Sequence, residues 1–174
     1  MKLTPAMETF VLHWGEMGSR WGVNRSVAQI HGLLYLSVRP LHAEEIADIL
    51  GIARSNVSTS LRELQGYGLV RLTHVLGDRR DHFAAVSDPW DIFTTIVEER
   101  KKREIDPTLT MLRACTVDAS EDSDTDPEVK ARIESMTAFV ESLTDWYEQV
   151  KRLPRPTLVK LMKAGVAVAK VVAR

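Results

Sequence analysis

The sequence predicts a mainly α-helical chain that carries one small β-hairpin. Three observations predict it. Apolar residues recur at spacings of three and four over most of the length, one short segment alternates with period two, and a seven-residue apolar repeat follows. With 174 residues, 44% of them apolar, the chain can bury a core without a disulfide or metal staple. Its one cysteine, Cys115, excludes an intrachain disulfide and suits a reducing, cytoplasmic setting. No run of about 18 apolar residues exists, so no membrane span is expected. The stretch from Met1 to His13 has no signal-peptide core.

The elements follow in order. Met7, Phe10, Trp14, Met17 and Trp21 mark the apolar face of a helix over 5–21, ended by Gly22. A second helix fits Ser26 to Ser37, with Ser26 as N-cap and Val27, Ile30, Leu33 and Leu34 inward. Two short helices come next, His42–Leu50 and about Arg54–Gln65, with Gly51 at the left-handed cap between them. The second buries Val57, Leu61 and Leu64. Strands at Val70–Val75 and His82–Val86 flank a hairpin tip over Leu76–Asp81. Asp88 and Pro89 start a helix that Pro107 interrupts before a continuation to about Cys115.

Net charge is −1, so overall charge does not announce a nucleic-acid partner. Its distribution is uneven. Asp118, Glu121, Asp122, Asp124, Asp126 and Glu128 crowd residues 117–128 without a cation, whereas 129–174 hold nine basic groups against four acidic ones. The acidic stretch reads as a mobile loop near 117–127. Val129, Ile133, Met136, Val140, Leu143, Tyr147 and Val150 then form a heptad seam, and a last helix is expected over Thr157–Ala173.

Helix, glycine turn, helix and hairpin in this order is the winged helix-turn-helix arrangement. Ala47, Gly51 and Val57 provide the small crossing residue, the sharp turn and the branched anchor. The outer face of the second short helix carries Arg54, Ser55, Asn56, Ser58, Thr59 and Arg62. Such residues bond base edges and phosphates in a major groove. Arg79 and Arg80 sit in the hairpin tip beside Asp78, and arginines on a thin loop suit a minor groove. The expected partner is double-stranded DNA with a near-palindromic operator, read by a homodimer. The fold class is therefore mainly α with a small β-hairpin wing, a winged helix-turn-helix plus a helical dimerisation region.

Ala43–Gly51, Arg54–Ser58, Leu61–Leu64, Gly68–Val70 and Gly77–Arg80 together resemble the MarR-type regulators. The run Trp21–Leu36 resembles their GbsR-like branch, whose best-known members control choline and glycine betaine genes. The resemblance covers residues 20–86. It implies a dimeric DNA-binding transcription regulator, more often a repressor. Ala53 departs from the pattern, because many relatives have Ser or Thr there as N-cap of the recognition helix; Ser55 is the candidate substitute.

The chain thus divides into an N-terminal helix contributing to dimerisation (1–21), a DNA-binding domain (22–88) and a helical dimerisation and effector region (89–174). A small-molecule effector is expected between the DNA-binding unit and the dimer helices. Phe10, Trp14, Trp21 and Tyr35 are open to two readings, a quaternary-ammonium cage or plain core packing. The heptad seam and the terminal stripe of Leu158, Leu161, Met162, Gly165, Ala169 and Val172 are read as dimer surface, against packing within one chain. Cys115 reads as structural rather than redox-active. The five histidines show no metal-ligand spacing, His74 and His82 are expected to face each other across the hairpin, and no cofactor is expected. No phosphate loop, nucleophile elbow or zinc-protease motif is present, so no catalytic residue is expected and the chain does not read as an enzyme. Two rivals remain. One is a winged-helix protein-interaction module without DNA binding; the other is membrane docking by the basic terminal helix, which lacks the aromatic residues such helices favour.

Overall fold

The computed structural model describes residues 1–165. It separates into two compact units, Met1–Arg100 and the chain from Lys101 onward. The division differs from the one expected: residues 1–21 and 89–100 both lie in the first unit.

In the first unit α1 is Pro5–Arg20 and α2 is Arg25–Leu36. Asn24, not Ser26, caps α2, its side chain accepting the Ser26 amide at 2.9 Å. The face of α1 turned inward is Val11, Gly15 and Gly18 rather than the predicted aromatic stripe. A Cβ on Gly18 would lie 2.4 Å from the Ala28 Cβ, so only glycine lets the two helices cross there. Phe10, Trp14 and Met17 flank that contact half-buried, and Trp21 is 53% exposed. Hydropathy spacing missed the face because glycine has no side chain to register in it.

α3, Ala43–Leu50, turns through Gly51 (φ 63°, ψ 33°) toward α4, Arg54–Gly66. The left-handed backbone there is what glycine permits at least cost. Ile30, Leu33, Leu41, Ile46, Val57, Leu61 and Leu64 form the centre of the core, each at most 2% exposed. The sheet has three antiparallel strands in the order β1-β3-β2: β1 Leu41–His42, β2 Val70–Val75 and β3 Asp78–Ala85. β1 was not predicted. Two residues are too few to show alternation, yet Leu41 pairs with Phe83 and His42 with His82. The hairpin is tighter than expected. Val75 pairs with Asp78, so the tip is Leu76 and Gly77 alone (Gly77 φ 84°), and Arg79 and Arg80 belong to β3. α5, Pro89–Arg100, is capped by Asp88, which accepts the Trp90 amide at 2.8 Å.

The second unit begins with a π turn, Lys101–Ile105, followed by α6 Asp106–Glu121, α7 Pro127–Val150 and α8 Arg155–Ala164. Pro107 has no N–H to offer the carbonyl four residues earlier, and the turn before it widens. Lys101 Nζ holds the turn, 2.8 Å from Asp106 and 3.4 Å from Glu148. α6 and α7 run antiparallel: the Thr116 and Thr137 hydroxyls meet at 2.9 Å and Arg113 pairs with Glu141 at 2.7 Å. α6 reaches Glu121, so Asp118 and Glu121 are helical and the acidic loop shrinks to 122–126. That loop is hydrogen-bonded, with Asp122 accepting from the Asp124 amide and from Lys130 Nζ. The heptad seam splits. Ile133, Val140, Tyr147 and Val150 are half-buried, whereas Val129, Met136 and Leu143 are exposed beside Phe139 and Trp146. α8 starts two residues before the predicted helix; Ala169 and Val172 lie outside the described residues.

His31 is a buried group in the first unit, 3% exposed. Trp14 Nε1–H donates to its Nδ1 at 3.1 Å, which leaves the proton on Nε2, where no partner exists among the described residues. Burial pushes its pKa down from 6.5 to about 4.

Two predictions follow from these contacts. Gly18→Ala should lower stability by about 1–3 kcal/mol despite the better helix propensity of alanine. A Cβ on Gly15 would meet Gln29 Cγ at 2.5 Å and Arg25 Cγ at 3.4 Å, both on side chains that can turn toward solvent, so Gly15→Ala should cost less than Gly18→Ala; urea unfolding of both variants distinguishes them. For His31 the folded pKa lies below the unfolded one, so the unfolded state takes up the proton first as pH falls. Its contribution is complete above pH 6.5 and declines as pH drops toward 4. Between pH 6.5 and about 5 the loss should be on the order of 2 kcal/mol, and His31→Gln, which cannot titrate, should flatten the dependence of the urea midpoint in that window.

Candidate nucleic-acid interface

One side of α4 is sealed and the other is open. Val57, Ser60, Leu61 and Leu64 are buried, while Arg54, Ser55, Asn56, Ser58, Thr59 and Arg62 are exposed. Ala53 gives no side-chain cap, and Ser55 does not substitute. Amide N–H groups of the first turn therefore face solvent beside Arg54, an arrangement that favours anions.

The exposed residues are not equally free. Asn56 Nδ2–H donates to Ser26 Oγ at 3.0 Å, and its Oδ1 accepts from Ser60 Oγ at 3.3 Å. Its amide thus ties α4 to α2 and keeps only part of its bonding capacity for a ligand. Arg62 folds back along the helix toward the Ser58 carbonyl and the Thr59 hydroxyl, both at 3.4 Å. Arg54 Nη2 stands 3.3 Å from Glu44 at the start of α3.

The wing supplies the facing wall. Arg80 Nε–H donates to both Asp78 oxygens, at 2.9 and 3.0 Å, and its guanidinium holds the Asp78 carboxyl well below the usual carboxylate range. Arg80 Nη1 is also 3.9 Å from Glu44. Between α3, α4 and the wing lies an open cleft of about 380 Å³ lined by Glu44, Arg54, Ser58, Arg62, Arg80 and Asp81, among others. The structure therefore gathers four of the predicted contact residues around one groove. Arg79 lies outside it, exposed and with no ion-pair partner among the described residues. His74 and His82 do not face each other. His82 is 5% exposed beneath the wing, opposite Thr73 and edge-on to His42 at 5.5 Å.

Glu44 is the groove residue that the sequence argument did not single out for a role. Its signal was present: a carboxylate in the first turn of the helix that precedes a recognition helix beginning with arginine. The aromatic residues divide. Phe10 stacks on Trp14 (5.3 Å, 13°) and on Tyr35 (6.0 Å, 19°), so these rings cover one another's faces. Trp21 stands apart with the Arg100 guanidinium 5.9 Å from its ring. Among the described residues no cluster of His, Cys, Asp or Glu is arranged to hold a metal, and Cys115 contacts Met111 at 3.5 Å.

The MarR family model matches residues 16–81, which span α2, α3, α4 and the wing as far as Asp81. Residues 16–81 are thus similar to a MarR-family domain. The chain is 25% identical over 136 residues to the HTH-type transcriptional repressor GbsR of Bacillus subtilis (strain 168), covering 76% of this chain and 75% of that one. It is 18% identical over 150 residues to the putative HTH-type transcriptional regulator YvaV of the same organism, covering 85% of each. A crystal structure described as a transcriptional regulator shares the fold with a TM-score of 0.64 at 20% identity, over 83% of this chain and 95% of that one. Relatives and fold are those of transcription regulators, not of enzymes.

Proposed function

We propose that this MarR-type protein is a sequence-specific, DNA-binding transcription regulator that acts as a homodimer, represses, and responds to a small ligand. The carrying observation is the groove itself: the uncapped start of α4 and Arg54, Ser58 and Arg62 face wing residue Arg80 across it. Ser55, Ser58, Thr59, Arg54 and Arg62 read base edges and adjacent phosphates in a major groove. Arg80 is braced by Asp78, and Arg79 reaches backbone or minor groove. Asn56 acts first as a brace between α4 and α2, with its remaining N–H and lone pair available to one base. Such work is cytoplasmic, and among the described residues no helix is long and apolar enough to cross a membrane. Repression is proposed from the likeness to GbsR.

The dimer reading is supported by the second unit. Phe139 is 65% exposed, Trp146 59% and Met136 54%, all on α7, more apolar surface than one helical hairpin covers. The aromatic residues do not identify the effector: Phe10, Trp14 and Tyr35 stack on one another as packing residues, and Trp21 stands apart beside Arg100, so the four rings form no common cage for a quaternary ammonium ligand. An effector acts only by binding one arrangement of the two recognition helices more tightly than another.

Two experiments test the reading. Selection from a random duplex library, followed by anisotropy at fixed salt, should yield a duplex preferred over its shuffled form by about a thousandfold or more. Arg62→Ala should weaken the selected duplex by about 1–3 kcal/mol with the dimer intact, whereas Arg79→Ala should weaken both duplexes alike and lower the salt slope by about one. No binding to any duplex at low salt would sink this reading in favour of a protein-interaction module. Phe139→Glu with Trp146→Glu should turn the protein monomeric in sedimentation while leaving its helicity unchanged; a persistent dimer would refute α7 as the interface.

A further inference from the structure

Glu44 is the carboxylate that reaches both walls of the groove. Its Oε1 lies 3.3 Å from Arg54 on the recognition helix and its Oε2 lies 3.9 Å from Arg80 on the wing. His42 Nδ1 is 3.5 Å from the same Oε2. The neighbouring Glu45 is engaged quite differently: its side chain is 16% exposed and is held by Arg39 and the Met1 amine. Glu44, at 47%, is open to the groove. Arg62 and Arg79 have no carboxylate partner among the described residues. Arg80 is bonded first to Asp78 and lies 3.9 Å from Glu44, so Arg54 is the arginine whose carboxylate partner is Glu44, while Arg62 and Arg79 are unopposed.

We infer that Glu44 is a specificity-determining residue, a built-in competitor that holds Arg54 away from indiscriminate phosphate contacts. The inference rests on the DNA-binding reading above. On any duplex the Glu44 charge repels the backbone, and Arg54 must give up its pairing with Glu44 before it can neutralise a phosphate. On the cognate duplex Glu44 repays part of that cost. A guanidinium braced by a carboxylate on one edge presents its remaining N–H groups in a fixed direction, the condition for a bidentate contact to guanine. Glu44 therefore weakens random binding more than operator binding. Exposed ion pairs are worth little, so the effect is modest in size and sharp in direction.

The test is Glu44→Gln in the full-length protein, on the selected and shuffled duplexes, titrated at several salt concentrations. Unfolding in urea checks that the fold is kept. The expected result is about fivefold tighter binding to shuffled DNA with a steeper salt dependence, and a smaller gain on the selected duplex. The preference of the protein for its site then falls. In an Arg54→Ala background the gain should shrink, which a merely structural role for Glu44 would not produce. Unchanged or weaker binding to shuffled DNA, or an equal gain on both duplexes, overturns the inference. If wild-type protein prefers no duplex, the DNA-binding reading itself falls; a discriminating wild type with an unresponsive Glu44→Gln variant removes only the role given to Glu44.

Discussion

Val57, Ser60, Leu61 and Leu64 close one side of α4 against the core, and Asn56 pins that helix to α2 through Ser26. The recognition surface depends on this attachment. A helix with half its circumference buried cannot rotate to hide its arginines, so the opposite half is committed to solvent or to a ligand. α2 is itself positioned by its crossing with α1, where Gly18 brings the backbones together over Ala28. The chain of constraint runs from a residue without a side chain in α1, through an almost wholly buried α2, to the direction in which Arg54 and Arg62 point.

The electrostatics of the groove are built on the same frame. Arg80 is held by Asp78 within the wing and reaches toward Glu44, which also meets Arg54. Helix and wing are therefore linked by charge as well as by the strand pairing of β1 with β3. The uncapped start of α4 fits this picture. An N-cap side chain would occupy the N–H groups that a phosphate can use, and the stability that a cap contributes is on the order of 1 kcal/mol. The domain gives up a local contribution where an external anion can replace it.

The second unit follows a different logic. α6 and α7 meet through threonine hydroxyls and an Arg113–Glu141 pair as much as through apolar contact. Much of the larger apolar surface of α7 remains outside that contact. The hairpin spends polar groups on its internal seam and leaves Phe139 and Trp146 exposed, and that surface is the basis of the proposed dimer. Hydropathy periodicity alone merged the two faces into one heptad stripe, because Met136 and Leu143 belong to the exposed side and Val140 and Tyr147 to the covered one.

Local chemistry was legible in the sequence. Gly51 marked a left-handed turn, Val57, Leu61 and Leu64 marked a buried helix face, and the arginines and hydroxyls of α4 marked its open one. These are properties of residue type and spacing within a few turns, and they determined the winged helix and the exposed polar face of α4. Relations between segments far apart in the chain were settled only by the tertiary structure. Leu41 and His42 became a strand because Phe83 and His82 offered them a partner, and Asn56 became a brace because Ser26 stands 3.0 Å away. Glu44 gained its place between two arginines from the way α3, α4 and the wing converge. Trp21 was separated from the other aromatic rings because α1 ends just before it, leaving Gly18 rather than the tryptophan to set the helix crossing. Spacing states which side chains share a face; which face meets which neighbour depends on close approach and on competing partners, and those exist only once the chain has folded.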